Sequence, residues 1–286
     1  MNEQANHNCR CRAHRRIVSK SASKSGFADT IVGTDRNEAA LKTAVELGVI
    51  DRYSVDLVEA VAGADIVVLS VPVRQTGTVL DQLLPGLPVD SVITDVGSSK
   101  AHVVLAAQQA LGQRMDCFVP GHPIAGREKS GVAAAETELF RDHRVILTPL
   151  ESTRQDAIDL VTQMWKSVGA QTSCLGVQQH DLVLAATSHL PHVLAYATVD
   201  TLAGTEYVEE IFEFAAGGFR DFSRIASSDP VMWRDVCLTN KSAILDVLDC
   251  FENQLGEIRK AIETDNSDKL TETFAKSKKI RDNFLR

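Results

Sequence analysis

Asp65-Ile66-Val67-Val68-Leu69-Ser70-Val71-Pro72 is a continuous apolar run closed by a serine and a proline. It lacks the alternation of a half-solvated strand and reads as a strand covered on both faces. Similar runs flank it. Ile31-Val32-Gly33-Thr34-Asp35 comes before; Val92-Ile93-Thr94-Asp95, Cys117-Phe118-Val119-Pro120 and Val145-Ile146-Leu147-Thr148 come after. Helical stretches intervene, Asn37 to Leu47 with Gly48 as its stop, and Gln155 to Val168. Strands alternating with helices specify an α/β fold with a doubly wound parallel sheet.

After Gln178 the texture becomes helical throughout. Gln178 to Leu202 is one long candidate, interrupted at Pro191; Pro230 to about Ala261 and Ser267 to Phe284 are two more. We expect a sheet domain over residues 1–175 and an all-helical domain over 176–286.

Composition sets bounds on function. The 286 residues are 44% hydrophobic and 24% charged, values of a chain with a real core. Lys plus Arg is 30 against 38 Asp plus Glu, a net charge of -8, so nucleic acid is not an expected partner. No membrane-length apolar run and no signal core are apparent, so no membrane partner is expected and the cytoplasm is the expected compartment. Cys117, Cys174, Cys237 and Cys250 stand singly in apolar segments and are expected as reduced core thiols. Cys9 and Cys11 have no second pair at zinc spacing, so no metal is expected.

Open parallel sheets bind ligands at the carboxyl ends of their strands. Here those ends carry Asp35, Ser70 to Pro72, Asp95-Val96-Gly97-Ser98-Ser99-Lys100 and Pro120-Gly121-His122-Pro123. A dinucleotide site also needs a first strand and a G-x-G-x-x-G turn, which lets backbone approach the pyrophosphate, and Asp35 suits the ribose-binding acid that follows. Yet the first glycine is Gly26. In place of the turn stands Asn8-Cys9-Arg10-Cys11-Arg12-Ala13-His14-Arg15-Arg16-Ile17-Val18-Ser19-Lys20-Ser21, which is basic and not strand-like. Residues 8–24 are therefore atypical. An arginine codon ending in GG becomes a glycine codon when read one nucleotide later. With such codons the segment reads Ile-Val-Gly-Val-Gly-Leu-Ile-Gly-Gly-Ser-Leu-Ala-Lys-Ala, a strand, a glycine turn and a helix start. A pair of compensating frameshifts, with the frame regained near Ser25, explains the segment; a native basic tail is the alternative.

Four constellations carry chemistry. His122 lies pinned between Gly121 and Pro123 at a strand end, suited to accept a proton. Asp95 to Lys100 places the Ser98 hydroxyl at the same edge, although Asp-x-Gly-Ser is also an ordinary turn. His180-Asp181 and Ser188-His189-Leu190-Pro191-His192 gather three histidines, read as substrate-binding rather than metal-binding. Arg220 and Arg224 follow Gly217-Gly218, and a guanidinium is the bidentate partner of a carboxylate. Trp233 is expected to pack among the helices.

Together these strings resemble the prephenate dehydrogenase family of tyrosine biosynthesis. They are Ser98-Ser99-Lys100, Gly121-His122-Pro123-Ile124-Ala125-Gly126 through Gly131, Ser188 to His192, and Gly218-Phe219-Arg220-Asp221-Phe222-Ser223-Arg224-Ile225-Ala226 through Asp235. The resemblance covers the chain from Gly26 onward, and the shifted glycine turn looks like the family's start. It implies a Rossmann-type domain, a helical domain that forms a homodimer, and oxidative decarboxylation of prephenate to 4-hydroxyphenylpyruvate with NAD. His122 and Ser98 would be catalytic. Arg224, His192, Asp181, His189 and Ser188 would bind substrate. Asp35, Arg36, Ser70, Pro72 and Asp95 would bind the cofactor. Arogenate is the alternative substrate, and a non-catalytic dimer with damaged cofactor binding is the alternative function. A hydroxy-acid dehydrogenase of similar build fits the Gly121–Gly131 motif less well. Neither an added regulatory module nor a preceding chorismate mutase segment is expected.

Overall fold

In the computed structural model, which describes residues 26–125 and 139–284, the strands fall on the apolar runs and on stretches between them. β1 (Val32–Gly33) pairs in parallel with β2 (Arg52–Tyr53). β3 (Ile66–Leu69), β4 (Val92–Asp95) and β5 (Phe118–Val119) form a second parallel ladder with β4 in the middle. β6 (Gly121–Ile124), β7 (Arg144–Leu147) and β8 (Gln171–Cys174) form a third. Among the described residues parallel pairing fails once: β6 and β7 are antiparallel. Only Pro120 separates β5 from β6, so β6 continues the same chain direction and β7 returns against it.

Among the described residues five helices lie between these strands: α1 (Glu38–Glu46), α2 (Leu57–Val61), α3 (Thr76–Leu83), α4 (Lys100–Leu111) and α5 (Gln155–Ser167). The Asn37 side chain caps α1 by accepting the Ala40 N–H at 3.1 Å, and Gly48, at φ +61°, ends that region in the left-handed conformation glycine favours. Successive strand residues face opposite layers. Val92 and Val119 pack with Val161, Met164 and Trp165 of α5. Ile93 and Phe118 pack with Leu80 and Leu83 of α3 and with Val103 and Ala107 of α4. Each fully buried side chain of this kind contributes about 1.5–3 kcal/mol.

The run beginning at Asp65 departs from expectation. All of β4 is buried, but Ile66, Val67 and Val68 of β3 are only half-buried. Among the described residues β3 has a strand neighbour on one side alone, β4. On its other side a cleft of about 940 Å³ lies between the edges of β1 and β3.

Beyond β8 the described chain is helical: α6 (Val177–Leu184), a π-helical turn (Ala185–His189), α7 (Leu190–Ala203), α8 (Val208–Glu213), α9 (Gly217–Ser223), α10 (Pro230–Thr239), α11 (Lys241–Glu263) and α12 (Ser267–Phe284). Pro191 does not interrupt the helix. It cannot donate to the carbonyl one turn back, and the helix accommodates it by widening just upstream. The helix expected from Pro230 to Ala261 breaks at Asn240. By packing, the chain forms two compact units, one ending at Lys241 and one beginning at Ser242.

Two expectations are corrected. Only Cys117 among the four single cysteines is buried; Cys237 is half-buried, and Cys174, at the end of edge strand β8, and Cys250 are exposed. Val177–Ala203 is a 27-residue helical stretch long and apolar enough by composition to cross a membrane. The same stretch holds His180, Asp181 and His189 buried inside the protein, polar residues that a lipid-facing helix excludes.

Candidate active site

Asp95 ends β4 inside the protein, 2% exposed, and organises the turn beyond it. Its Oδ2 accepts the Gly97 N–H at 2.7 Å, and its Oδ1 accepts the Gly121 N–H at 3.1 Å. Lys100 Nζ donates to Asp95 Oδ2 at 2.5 Å and to the Gly121 carbonyl at 2.8 Å. Gly97 is required here, because a Cβ would lie 2.9 Å from both Asp95 Oδ2 and Val73 Cγ1. Burial pushes the Lys100 pKa down, opposed by the attraction of Asp95. This buried pair locks the end of β4, the start of α4 and the start of β6 together. The Asp95 carboxylate thus holds protein groups rather than facing outward to a cofactor.

His122 follows Gly121 on β6 and is 8% exposed. Its Nδ1 lies 2.9 Å from His180 Nε2, and His180 Nδ1 lies 2.8 Å from Asp181 Oδ1. The carboxylate can only accept, so His180 Nδ1 donates to it. Burial lowers the His180 pKa despite the Asp181 hydrogen bond, so the ring is neutral and its Nε2 accepts. His122 Nδ1 must therefore donate. With Nδ1 donating, Nε2 is the nitrogen that carries the lone pair in the neutral tautomer of His122, the form that accepts a proton.

Asp181 is held by α4. Its Oδ1 accepts the Lys100 N–H at 2.7 Å and its Oδ2 the Ala101 N–H at 2.9 Å, capping the helix N-terminus. Ser99, the residue in the cap position, instead shares a 2.7 Å hydrogen bond with Thr239 Oγ1. Burial works to raise the Asp181 pKa, but the bonds from His180, Lys100 N–H and Ala101 N–H outweigh it and hold the carboxyl below the usual range. Both oxygens are engaged by protein groups, so Asp181 orients His180 and caps α4 rather than reaching a substrate.

Asn240, at the break after α10, ties in the next histidine. Its Nδ2 donates to the Asp181 carbonyl at 2.8 Å and to His189 Nδ1 at 3.0 Å. Burial pushes His189 down to about 4, so it is neutral, with its other nitrogen beside the Ser98 backbone. His192 Nδ1 donates to the Ser188 carbonyl at 2.8 Å. Its ring stacks on Trp233 with centroids 3.6 Å apart and planes at 20°, and burial lowers its pKa too. Ser188 and Ser98 are half-buried. Arg224 is exposed and begins the short turn Arg224–Ser227, which packs against α7, the helix of His192.

The cofactor candidates line the carboxyl edge. Asp35, just past β1, is buried and accepts the Asn37 N–H at 2.9 Å; Arg36 beside it is exposed. Ser70, just past β3, is buried with no hydrogen-bond partner for its hydroxyl among the described residues, and Pro72 follows. An acid at one strand end and an orphan hydroxyl at the next fit a dinucleotide laid across the edge. Residues 8–24 and Gly126–Gly131 lie outside the described residues.

His122, His180, Asp181, Asn240 and His189 thus form one hydrogen-bonded chain, with Ser98 adjoining. Asn240 is not among the expected site residues, and His180, expected beside substrate with its neighbouring histidines, instead orients His122. The adjacency of His180 and Asp181 was the available signal for one, and an asparagine inside an otherwise apolar helical pattern for the other.

A parallel sheet with an acid and an orphan hydroxyl at its carboxyl edge, closed by helices that orient a basic imidazole, defines a dinucleotide-dependent dehydrogenase. The family model for the prephenate dehydrogenase nucleotide-binding domain matches residues 18–174, beginning past the four arginines, and that for the prephenate dehydrogenase dimerization domain matches 177–276. The chain belongs to the prephenate dehydrogenase family. It is 40% identical over 263 residues to the cyclohexadienyl dehydrogenase of Zymomonas mobilis, covering 91% of this chain and 89% of that one. It is 39% identical to the prephenate dehydrogenase of Bacillus subtilis, covering 88% of this chain and 68% of the relative. The crystal structure of prephenate dehydrogenase from Aquifex aeolicus, in complex with hydroxyphenyl propionate and NAD+, superposes with a TM-score of 0.86 at 37% identity, covering 94% of this chain and 93% of that one.

Proposed function

We propose that this protein oxidatively decarboxylates prephenate to 4-hydroxyphenylpyruvate, with NAD as electron acceptor. The observation that carries the reading is the Asp181–His180–His122 chain at the sheet edge, which turns the Nδ1 proton of His122 toward His180 and so makes Nε2 the basic nitrogen of the neutral ring. NAD, when bound, supplies the acceptor for the hydride leaving the hydroxyl-bearing ring carbon. His122 draws on the proton of that hydroxyl as the carbon becomes carbonyl-like. The carbon–carbon bond to the ring carboxylate then breaks, CO2 departs, and its electrons run through the ring to the former hydroxyl oxygen, which takes the proton back from His122 as the phenol forms. Ser98 orients the hydroxyl. Arg224 pairs with a substrate carboxylate, and His192, fixed by its stack on Trp233, shapes the pocket beside it with His189 and Ser188. Asp35 receives the ribose diol, with Arg36, Ser70 and Pro72 along the same edge. General-base help of this kind supplies roughly 10²–10⁴-fold, and positioning a large part of the rest.

Residues 1–175 form the nucleotide domain in this reading and 176–286 the substrate and dimerisation domain. Leu182, Val183, Phe212, Phe214, Val231 and Leu238 are all exposed, an apolar excess that supports a homodimer; a biosynthetic reaction that consumes NAD places it in the cytoplasm in this reading. Arogenate is the second substrate to test, because the Zymomonas relative carries a name broad enough for either cyclohexadienyl acid. The experiment follows NADH absorbance with prephenate and with arogenate. Turnover of prephenate is expected. NAD binding without turnover of either acid would overturn the proposal in favour of a non-catalytic dimer.

A further inference from the structure

The cleft between β1 and β3 has the features of a seat for one more strand. Ile31 and Gly33 direct their carbonyls to β2, accepting from Asp51 and Ser54 at 2.9 and 3.1 Å. By strand alternation the backbone groups of Val32 point the other way, into the cleft. On the facing edge, Asp65 and Leu69 direct their carbonyls to β4. The backbone groups of Ile66 and Val68 therefore also point into the cleft. No hydrogen bond from these three inward-facing residues reaches another strand among the described residues. Above and below, the cleft is closed by apolar side chains, among them Val61, Leu83 and Met164. Two rows of unpaired amides facing each other under an apolar roof and floor are satisfied together by a strand between them. A parallel one would join the two ladders into a single sheet in the order of a dinucleotide-binding fold, with the new strand preceding β1 in the chain.

We propose that this cleft is built for the chain's own segment upstream of Gly26, in the reading frame one nucleotide later than the written one. As written, that segment brings Arg10, Arg12, Arg15 and Arg16, whose guanidinium groups an apolar slot excludes. In the shifted frame it brings Ile-Val-Gly-Val-Gly-Leu-Ile-Gly. Those residues supply an apolar strand of the right kind, and then glycines at the carboxyl edge, next to Asp35 and Ser70. The written sequence accordingly offers the slot no apolar strand segment and no G-x-G-x-x-G string to hold a pyrophosphate. The inference stands on the sheet and on codon chemistry, not on the reaction proposed above.

The test has two arms. The gene is resequenced across codons 8–25. The proposal expects the codons of Arg10, Arg12 and Arg15 each to end in GG, and any one ending otherwise overturns it. The full-length chain as written is then compared with the full-length chain carrying the shifted-frame segment. The re-encoded chain should melt at least about 5 °C higher without ligand, the shift of about 2 kcal/mol in a chain of this size. It should also bind NAD at least about tenfold more tightly. A written chain recovered only in inclusion bodies beside a soluble re-encoded one supports the proposal equally. Equal melting temperatures overturn it whatever the catalytic activity, whereas a rise in melting temperature without turnover of prephenate sinks only the reaction.

Discussion

His122 Nδ1 and His180 Nε2 lie 2.9 Å apart, and that contact fixes which nitrogen of His122 is basic. Asp181 fixes the proton on His180 Nδ1, and the neutral His180 fixes the proton on His122 Nδ1. The orientation is passed along two rings from a carboxylate that is itself held by a helix N-terminus.

Replacing His122 should remove the base and leave the fold intact. His122→Asn is expected to lower kcat by about 100-fold or more, the general-base scale, with NAD affinity unchanged. His180→Phe keeps the base but removes its orienting acceptor. It should lower kcat by about 10-fold or more with little change in KM, and alter the pH dependence of kcat, which a purely structural residue would leave alone. Steady-state kinetics across pH reads both. Wild-type kcat in His180→Phe would show that His122 is oriented by something else.

The buried pair Asp95–Lys100 gives a stability prediction. Both side chains are almost wholly buried, so removing one partner strands the other's charge. Lys100→Met should cost about 3–5 kcal/mol. Adding Asp95→Asn should recover part of that loss, because the remaining group is then neutral. Urea denaturation of the two variants is the measurement, and a double variant no more stable than the single one would contradict the account.

The sheet was readable because β-branched runs such as Val92–Asp95 leave few other choices, and His122 was readable because glycine and proline flank it. The roles of Asp95 and Asp181 were not. Each is an acid at an element boundary, which in sequence looks the same whether it faces a ligand or the protein. What decides is the partner: Gly121 lies 26 residues beyond Asp95, and Lys100 lies 81 residues before Asp181. Asn240 was hidden for the same reason. Its value is the gap it bridges between α6 and His189, and no local pattern encodes a gap. The half-burial of β3 was legible only as a conflict between an apolar run and its surroundings.

Arg224 bears on substrate rather than cofactor. It is exposed on a short turn against α7, where a guanidinium can meet a carboxylate bidentately. Arg224→Ala should raise the KM for prephenate about tenfold or more and change NAD affinity little. Initial rates with each ligand varied in turn separate the two. An unaltered KM would move the carboxylate partner to another cation, with Arg220 the next to test.

His189 gives the last prediction, in stability against pH. Its pKa is pushed down to about 4 in the folded chain by burial, against an ordinary value of 6.5. Between those values the unfolded chain binds a proton that the folded chain does not, so stability rises with pH across the window. The stabilisation is complete above about 6.5 and is lost as the solution is acidified toward 4, by about 3 kcal/mol for a shift of this size. His180 and His192 are shifted downward as well and steepen the same slope. His189→Gln removes one titrating group while keeping an amide able to bond Asn240. Urea denaturation between pH 4.5 and 7.5 should therefore give a slope shallower by close to one proton in the variant than in the wild type. Parallel slopes would mean that His189 is protonated in the folded protein, and that burial does not hold it neutral.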